Sequence, residues 1–245
     1  MDHYQGKIDE ERVDAFTQQI KDLRSAFPSI PIVIAVIPNK TFIYSEYLPD
    51  YVIESPQRFE TITKLKSLNN IDVIDLYPIL KNTEEKVFLK NDTHWNGLGA
   101  YIAYKEIVEF INKSTAFNFE VKEDIKEISV RDHPIGDISG MLGVQNVCVD
   151  DNNLVVFEKS SAISHEKREM EALHIPDYTN QNGRGRIVLF HDSFAQAKLA
   201  GYLAETFQEI KTFWGFNFQE HEEEVKEMNP DLILIEVVDR HIQWI

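Results

Sequence analysis

RIVLFHDSFAQAKLAGYLAETF, residues 186–207, joins a strand-like run to a helix-like run through the tripeptide HDS. Arg186 to Phe190 is short, apolar and rich in β-branched residues, the pattern of a strand buried on both faces. Ala195 to Phe207 repeats its apolar residues every three or four positions, which predicts a helix. Strand, tight turn and helix make an α/β unit, and the turn lies at the strand's carboxyl end, where open α/β sheets hold their ligands. A serine there projects its hydroxyl out of the sheet, and the helix amides behind it face any negative charge that develops.

Outward from this unit the alternation continues. IKTFWGF (210–216) reads as a strand, EEEVKEM (222–228) as a helix stopped by Pro230, and Leu232 to Val238 as a further apolar strand. Near the amino terminus, Val13, Phe16, Ile20 and Leu23 mark an amphipathic helix over Asp9 to Ala26, and Ile32 to Ile37, closed by Pro38, marks a buried strand. A helix over Pro56 to Ser67 and a strand in IDVIDLYPIL (71–80) follow. Gly99 to Asn112 carries Ile102, Ile107, Phe110 and Ile111 on one side, again a helix. Residues 113–180 are polar and weakly periodic and read as an irregular insertion or cap within a single domain spanning 1–245.

Bulk properties narrow the class of function. Hydrophobic residues make up 43% of the 245, enough for a sizeable core. The charge balance of 25 basic against 41 acidic residues gives −16, a field that repels phosphate backbones, so nucleic acid is excluded as a partner. One cysteine, Cys148, rules out an internal disulfide framework and a thiolate metal cluster. No apolar run reaches the roughly 20 residues of a membrane span, and MDHYQGKIDEERVDAF has no signal-peptide core.

Three polar sets fall at strand ends. KNDTHWNGLGAYIAY (90–104) presents Asp92, His94 and Trp95 just before a helix, HDS presents His191, Asp192 and Ser193, and VVDR ends in Asp239 and Arg240. A serine hydroxyl is a weak nucleophile until a base lies in hydrogen-bond reach and a third group fixes that base's tautomer. His94 and Asp92 supply such a pair, and their i, i+2 spacing lets one loop present both. Each set also has a plainer reading: Asp92 or Ser193 as a helix N-cap, His191 as a core histidine, Trp95 as packing rather than a sugar platform, Asp239 with Arg240 as a surface ion pair. Asp92, His94, His191 and Asp192 could ligate a metal, yet the spacing matches no paired-histidine metalloprotease helix, and neither metal nor cofactor is expected.

IPNKTFIYSEYLP (37–49), NDTHWNGLGAYIAY (91–104), GDISGML (136–142), LFHDSF (189–194) and PDLILIEVVDR (230–240) together resemble, in order and spacing, the SGNH-hydrolase-like domain of the AlgJ and AlgX alginate O-acetyltransferases and the related DHHW-motif proteins. The resemblance implies a three-layer α/β/α, flavodoxin-like parallel sheet. It also implies a triad with Ser193 as nucleophile, His94 as general base and acid, and Asp92 as its orienting partner. Ordinary SGNH esterases place the serine block first and the acid–histidine block last, whereas here the order is reversed. Started at Arg186 and rejoined, the chain reads as the usual succession, so a circular permutation is expected.

The match has departures. His191 stands where a glycine commonly precedes the acid, and VVDR stands where the esterases carry their asparagine. Gly215 and Asn217 are candidates for a second oxyanion donor beside the Ser193 amide, and His191, Asp192, Asp239 and Arg240 for contacts to substrate. The family implies a polysaccharide acceptor, a membrane O-acyltransferase as acetyl supplier, and an extracytoplasmic place with any signal or anchor lying outside this sequence. A net charge of −16 suits a neutral or amino-sugar glycan at least as well as a polyanion. An acetyl-esterase with the same triad and a non-catalytic glycan-binding module are the alternatives.

Overall fold

The computed structural model describes residues 4–5, 8–133, 136–144, 150–165 and 175–242. Its strands are β1 Ile32–Ile37, β2 Asp72–Asp75, β3 Ile125–His133, β4 Asp150–Phe157, β5 Ala162–His165, β6 Asp177–Asn180, β7 Arg186–His191, β8 Glu209–Trp214 and β9 Leu232–Val238. Seven of them form one sheet in the order β2-β1-β9-β7-β8-β6-β5, and β3 pairs with β4 in a separate antiparallel ribbon. The first five strands of that order run parallel, and β6 and β5 extend the β8 edge antiparallel.

Alternation along each central strand divides the core into two layers. Ile32, Ile34 and Val36 of β1 meet Phe16 and Ile20 of α1 (Glu10–Ala26), Ile62 and Leu65 of α3 (Gln57–Lys66) and Val225 of α8 (Glu222–Met228). On the opposite face Val33, Ala35 and Ile37 meet Tyr104, Ile107 and Ile111 of α5 (Gly97–Ser114). The remaining short helices are α2 (Lys40–Ile43), α4 (Tyr77–Lys81), α6 (Asp137–Met141) and α7 (Ala200–Leu203). Strands apolar on both faces can be satisfied only by helices on both, which is why the three-layer architecture follows from runs such as IVIAVI.

Numbering the parallel strands from β7 makes β7, β8, β9, β1 and β2 strands one to five, and their spatial order becomes 2-1-3-4-5. That is the flavodoxin-like doubly wound order, so the sheet realises the permutation expected from the chain. Between β7 and β9 the winding reverses, and at such a point a crevice opens outside the carboxyl ends of the strands.

Two expectations are corrected. The described residues of 113–180 are not irregular throughout: they hold the β3–β4 ribbon, α6 and the two added strands, β5 and β6. Their alternation is short and half-exposed, so it leaves only a faint hydrophobic signal. The helix expected over Ala195 to Phe207 is broken: residues 195–199 form a wide turn in which Lys198 takes a left-handed conformation at φ 82°, and α7 follows as a short helix. The cause is tertiary, since the break turns the carbonyls of Phe194 and Ala197 onto the indole Nε1 of Trp95, each at 3.0 Å.

Candidate active site

Ser193 stands in the turn after β7, and the loop before α5 brings His94 to it. His94 Nε2 lies 2.7 Å from Ser193 Oγ, and His94 Nδ1 lies 2.6 Å from Asp92 Oδ1. With the carboxylate accepting at Nδ1–H, the other ring nitrogen is left with its lone pair toward the serine, the tautomer a base requires. Burial pushes the Asp92 carboxyl up, but hydrogen bonds from the His94 ring and amide, the His94 charge and the Asp137 amide outweigh it and hold the group down at about 2. Ser193 and His94 are half-buried and reachable, while Asp92 is buried.

Several local devices fix this loop. Asn96 caps α5 by accepting from the Gly99 amide at 2.9 Å, which releases Asp92 from the capping role the plainer reading gave it. Gly99 is required because a Cβ there would sit 2.2 Å from the Val87 carbonyl oxygen, across the bridge that pairs Phe88 with Trp95. Lys40 Nζ donates to the carbonyls of Leu89, Lys90 and Asp92 at 2.5, 2.8 and 2.9 Å and gathers the loop around one ammonium. Asp137 closes it from the cap: its Oδ1 accepts the Thr93 amide at 2.7 Å, its Oδ2 takes the Thr93 hydroxyl, and its own amide donates to Asp92 Oδ2 at 3.1 Å. Gly136 permits that approach, because a Cβ would lie 2.0 Å from the Asn91 carbonyl oxygen.

The other candidates from the sequence divide. Trp95 is 1% exposed, its indole bound to the broken helix and its ring edge-on to Phe194 at 5.4 Å, so it offers no face to a sugar and serves as a support. His191 and Asp192 are buried, and neither is placed to touch substrate. His191 Nδ1 is bonded to the Asp192 carbonyl at 2.9 Å, and Asp192 accepts from His241 Nδ1 at 2.8 Å and from the amides of Phe194 and Val238, each at 2.9 Å. Gly215 spends its amide on the His191 carbonyl at 2.8 Å, which takes it from the role of second oxyanion donor, and Asn217 is exposed, its carbonyl accepting from the Glu220 amide. Asp239 is no surface partner of Arg240: buried, it binds Arg58 Nε at 2.6 Å and the Asn39 amide at 3.1 Å. Arg240 instead stacks over Phe194, its Cζ 5.3 Å from the ring centroid.

Beside the triad runs a groove of about 1710 Å³, bordered at its catalytic end by Thr93, Ile138 and Arg240 and further out by Tyr44, Tyr47 and Leu48. Tyr47 is 79% exposed. Asp92, His94 and Asp137 also bring three ligand-type atoms within 4.8 Å of one another, but His94 Nδ1 and the carboxylate oxygens are occupied by the hydrogen bonds described above.

Reasoning from sequence missed Asp137, Lys40, Arg58 and Glu236. Glu236 had left a signal, as the only acid in the otherwise apolar LILIEVV. GDISGML was part of the family match without a role for Asp137.

A permuted flavodoxin-like sheet with a serine, a histidine and an aspartate hydrogen-bonded in line at its switch point defines an SGNH-hydrolase-like protein. The model of the family described as SGNH hydrolase-like domain, acetyltransferase AlgX, matches residues 3–214, and the chain belongs to that family. The probable alginate O-acetylase AlgJ of Pseudomonas fluorescens is 28% identical over 114 residues, which cover 44% of this chain and 29% of that protein. Among solved structures, Bacillus cereus PatB1 superposes with a TM-score of 0.75 at 16% identity, covering 96% of this chain and 92% of that one. The O-acetyltransferase domain of Pseudomonas putida AlgJ gives 0.69 at 17%, with 96% and 84% covered. At such identities the structural likeness speaks for the fold.

Proposed function

We propose that the protein is a serine-dependent O-acetyltransferase that modifies a glycan of the cell envelope or an exopolysaccharide. The observation that carries this reading is the unbroken hydrogen-bond line from Asp92 through His94 to Ser193, beside an open groove that Thr93 borders, in a chain whose family is described as acetyltransferase. In the first half-reaction Ser193 Oγ attacks the acetyl carbonyl of a donor while His94 Nε2 takes its proton, then returns it to the departing group. In the second, a glycan hydroxyl gives its proton to His94 and attacks the acetyl-serine, and Ser193 recovers its proton as the ester leaves. Asp92 keeps the imidazole in one tautomer and stabilises the imidazolium of both steps.

The groove is the acceptor's path in this reading. Tyr44 and Tyr47 suit the apolar faces of sugar rings, and its charges are of both signs, Lys86 and Lys90 near Glu84 and Glu85. That mixture favours a neutral or amino-sugar chain over a polyanion. In this reading a membrane O-acyltransferase supplies the acetyl group, and the protein works outside the cytoplasmic membrane, as the family resemblance implies. No helix among the described residues is long and apolar enough to cross a membrane.

The deciding experiment measures acetyl release from p-nitrophenyl acetate by wild type, Ser193→Ala and His94→Ala, with and without neutral and anionic oligosaccharides, and mass spectrometry of the saccharide. Acetylated saccharide formed only by wild type is the expected result. Serine-dependent release that never reaches a saccharide makes the protein an acetyl-esterase, and a wild type as inert as its variants makes it a non-catalytic glycan-binding module.

A further inference from the structure

An acyl-transfer site stabilises its tetrahedral oxygen with donors already aimed at it before reaction. The turn that carries Ser193 has few to give. The amides of Asp192 and Ala195 donate to Glu236 Oε2 at 3.1 and 3.2 Å, and that of Phe194 donates to Asp192 Oδ1 at 2.9 Å. Glu236 is fully buried on the face of β9 beneath the turn, and this burial beside Asp192 pushes its carboxyl well above the usual carboxylate range. Of the four amides from Asp192 to Ala195, only that of Ser193 is not held by one of these two acids. In the turn after β8 the Gly215 amide is likewise spent, on the His191 carbonyl.

A second donor stands just beyond the end of the neighbouring strand. β9 pairs with β7 at the reversal of winding, and its carboxyl end delivers Arg240 to the crevice that holds Ser193. The guanidinium packs on the ring of Phe194, the residue after the nucleophile, and His94 packs on the same ring with centroids 4.8 Å apart. Arg240 borders the groove together with Thr93 and Ile138. The carboxylates of Asp92, Asp137, Asp192 and Asp239 act on it electrostatically, yet no nitrogen of its side chain makes a hydrogen bond among the described residues, and Nη1 is buried without a partner. Desolvating a cation without giving it an acceptor is unfavourable unless a ligand supplies one.

We propose that Arg240 is a catalytic residue: its guanidinium, together with the Ser193 amide, receives the oxygen that becomes negative when the acetyl carbonyl is attacked. The assignment rests on the acyl-transfer reading above. As Ser193 Oγ bonds to the carbonyl carbon, its proton passes to His94 Nε2 and the C=O π pair moves onto the oxygen facing Arg240. When that pair returns, the bond to the leaving oxygen breaks and the His94 proton goes to it. Because a guanidinium is never deprotonated in a protein, this donor is present at every working pH.

Kinetics of Arg240→Met and Arg240→Lys with p-nitrophenyl acetate test the assignment, alongside inhibition by phenylboronic acid, which forms a tetrahedral anionic adduct on a serine oxygen. For Arg240→Met, kcat should fall on the order of 100- to 1000-fold with KM little changed, and boronic acid affinity should weaken in parallel. Added guanidinium ion should restore part of the lost rate. A folded Arg240→Met whose kcat and boronic acid affinity stay within about threefold of wild type overturns the assignment while leaving the triad intact. If Arg240→Met does not fold, Arg240→Lys decides: it keeps the buried charge but not the fork, so a joint loss of kcat and boronic acid affinity supports the assignment and unchanged values overturn it. A wild type that neither cleaves the ester nor binds the boronic acid sinks the triad reading, and this one with it.

Discussion

Asp92 accepts from the His94 ring, the His94 amide and the Asp137 amide, and these bonds hold its pKa at about 2 against an ordinary 3.8. The sign follows: a carboxyl depressed on folding contributes stability that is complete above the unfolded pKa and is lost as pH falls through the folded one. The contribution is roughly 2 kcal/mol and should disappear between about pH 4 and pH 2, narrowing the stability gap between wild type and Asp92→Asn in urea titrations across that range. Asp92→Asn should also lower kcat by about 10³- to 10⁴-fold on p-nitrophenyl acetate near neutral pH, because an amide cannot impose the required tautomer on the imidazole. A loss of less than about tenfold would mean that Asp137, whose Oδ2 lies 3.8 Å from His94 Nδ1, replaces it.

At the level of elements, the nucleophile depends on a defect. A continuous helix after β7 would keep the Phe194 and Ala197 carbonyls for its own amides, whereas the break at Lys198 gives both to Trp95. One indole thereby joins the loop that carries His94 to the turn that carries Ser193. Trp95→Phe keeps an aromatic ring and removes the donor, leaving the buried Phe194 carbonyl and the half-buried Ala197 carbonyl unmatched, and should destabilise the protein by roughly 1–3 kcal/mol in denaturant unfolding. It should also reduce kcat more than KM, since the spacing of His94 and Ser193 is what the bond maintains. An unchanged unfolding midpoint would show that the break forms without the indole.

Across the whole molecule, Arg58 connects strands far apart in sequence. Its guanidinium binds Asp239 after β9 and Asp75 at the end of β2, and it packs against the rings of Phe42, Phe59 and Tyr77. Burial alone would lower its pKa, and the two carboxylates raise it instead. Removing one partner of a fully buried pair strands the others, so Arg58→Ala should cost about 3–5 kcal/mol in unfolding free energy. Arg58→Ala with Asp239→Asn should recover part of that loss, and additive effects of the two would show that the pair is not coupled.

The sequence alone determined the parallel strands, the helices before them and the permuted order, because a strand buried on both faces must be almost wholly apolar, as IVIAVI is and LILIEVV is but for Glu236. It also determined the pairing of Asp92 with His94, since two residues apart in one loop they have little choice but to meet. Tertiary structure decided what those patterns could not encode. Lys40, Asp137 and Glu236 act through backbone atoms, which any residue type could present, so their roles leave no residue pattern to read. Trp95 and Asp192 were legible as polar-tipped residues beside a turn, but only packing decides whether such a tip faces substrate or protein. For Arg240 the sequence supplied the cation and the fold supplied its setting, by ending β9 beside β7 where the winding of the sheet reverses.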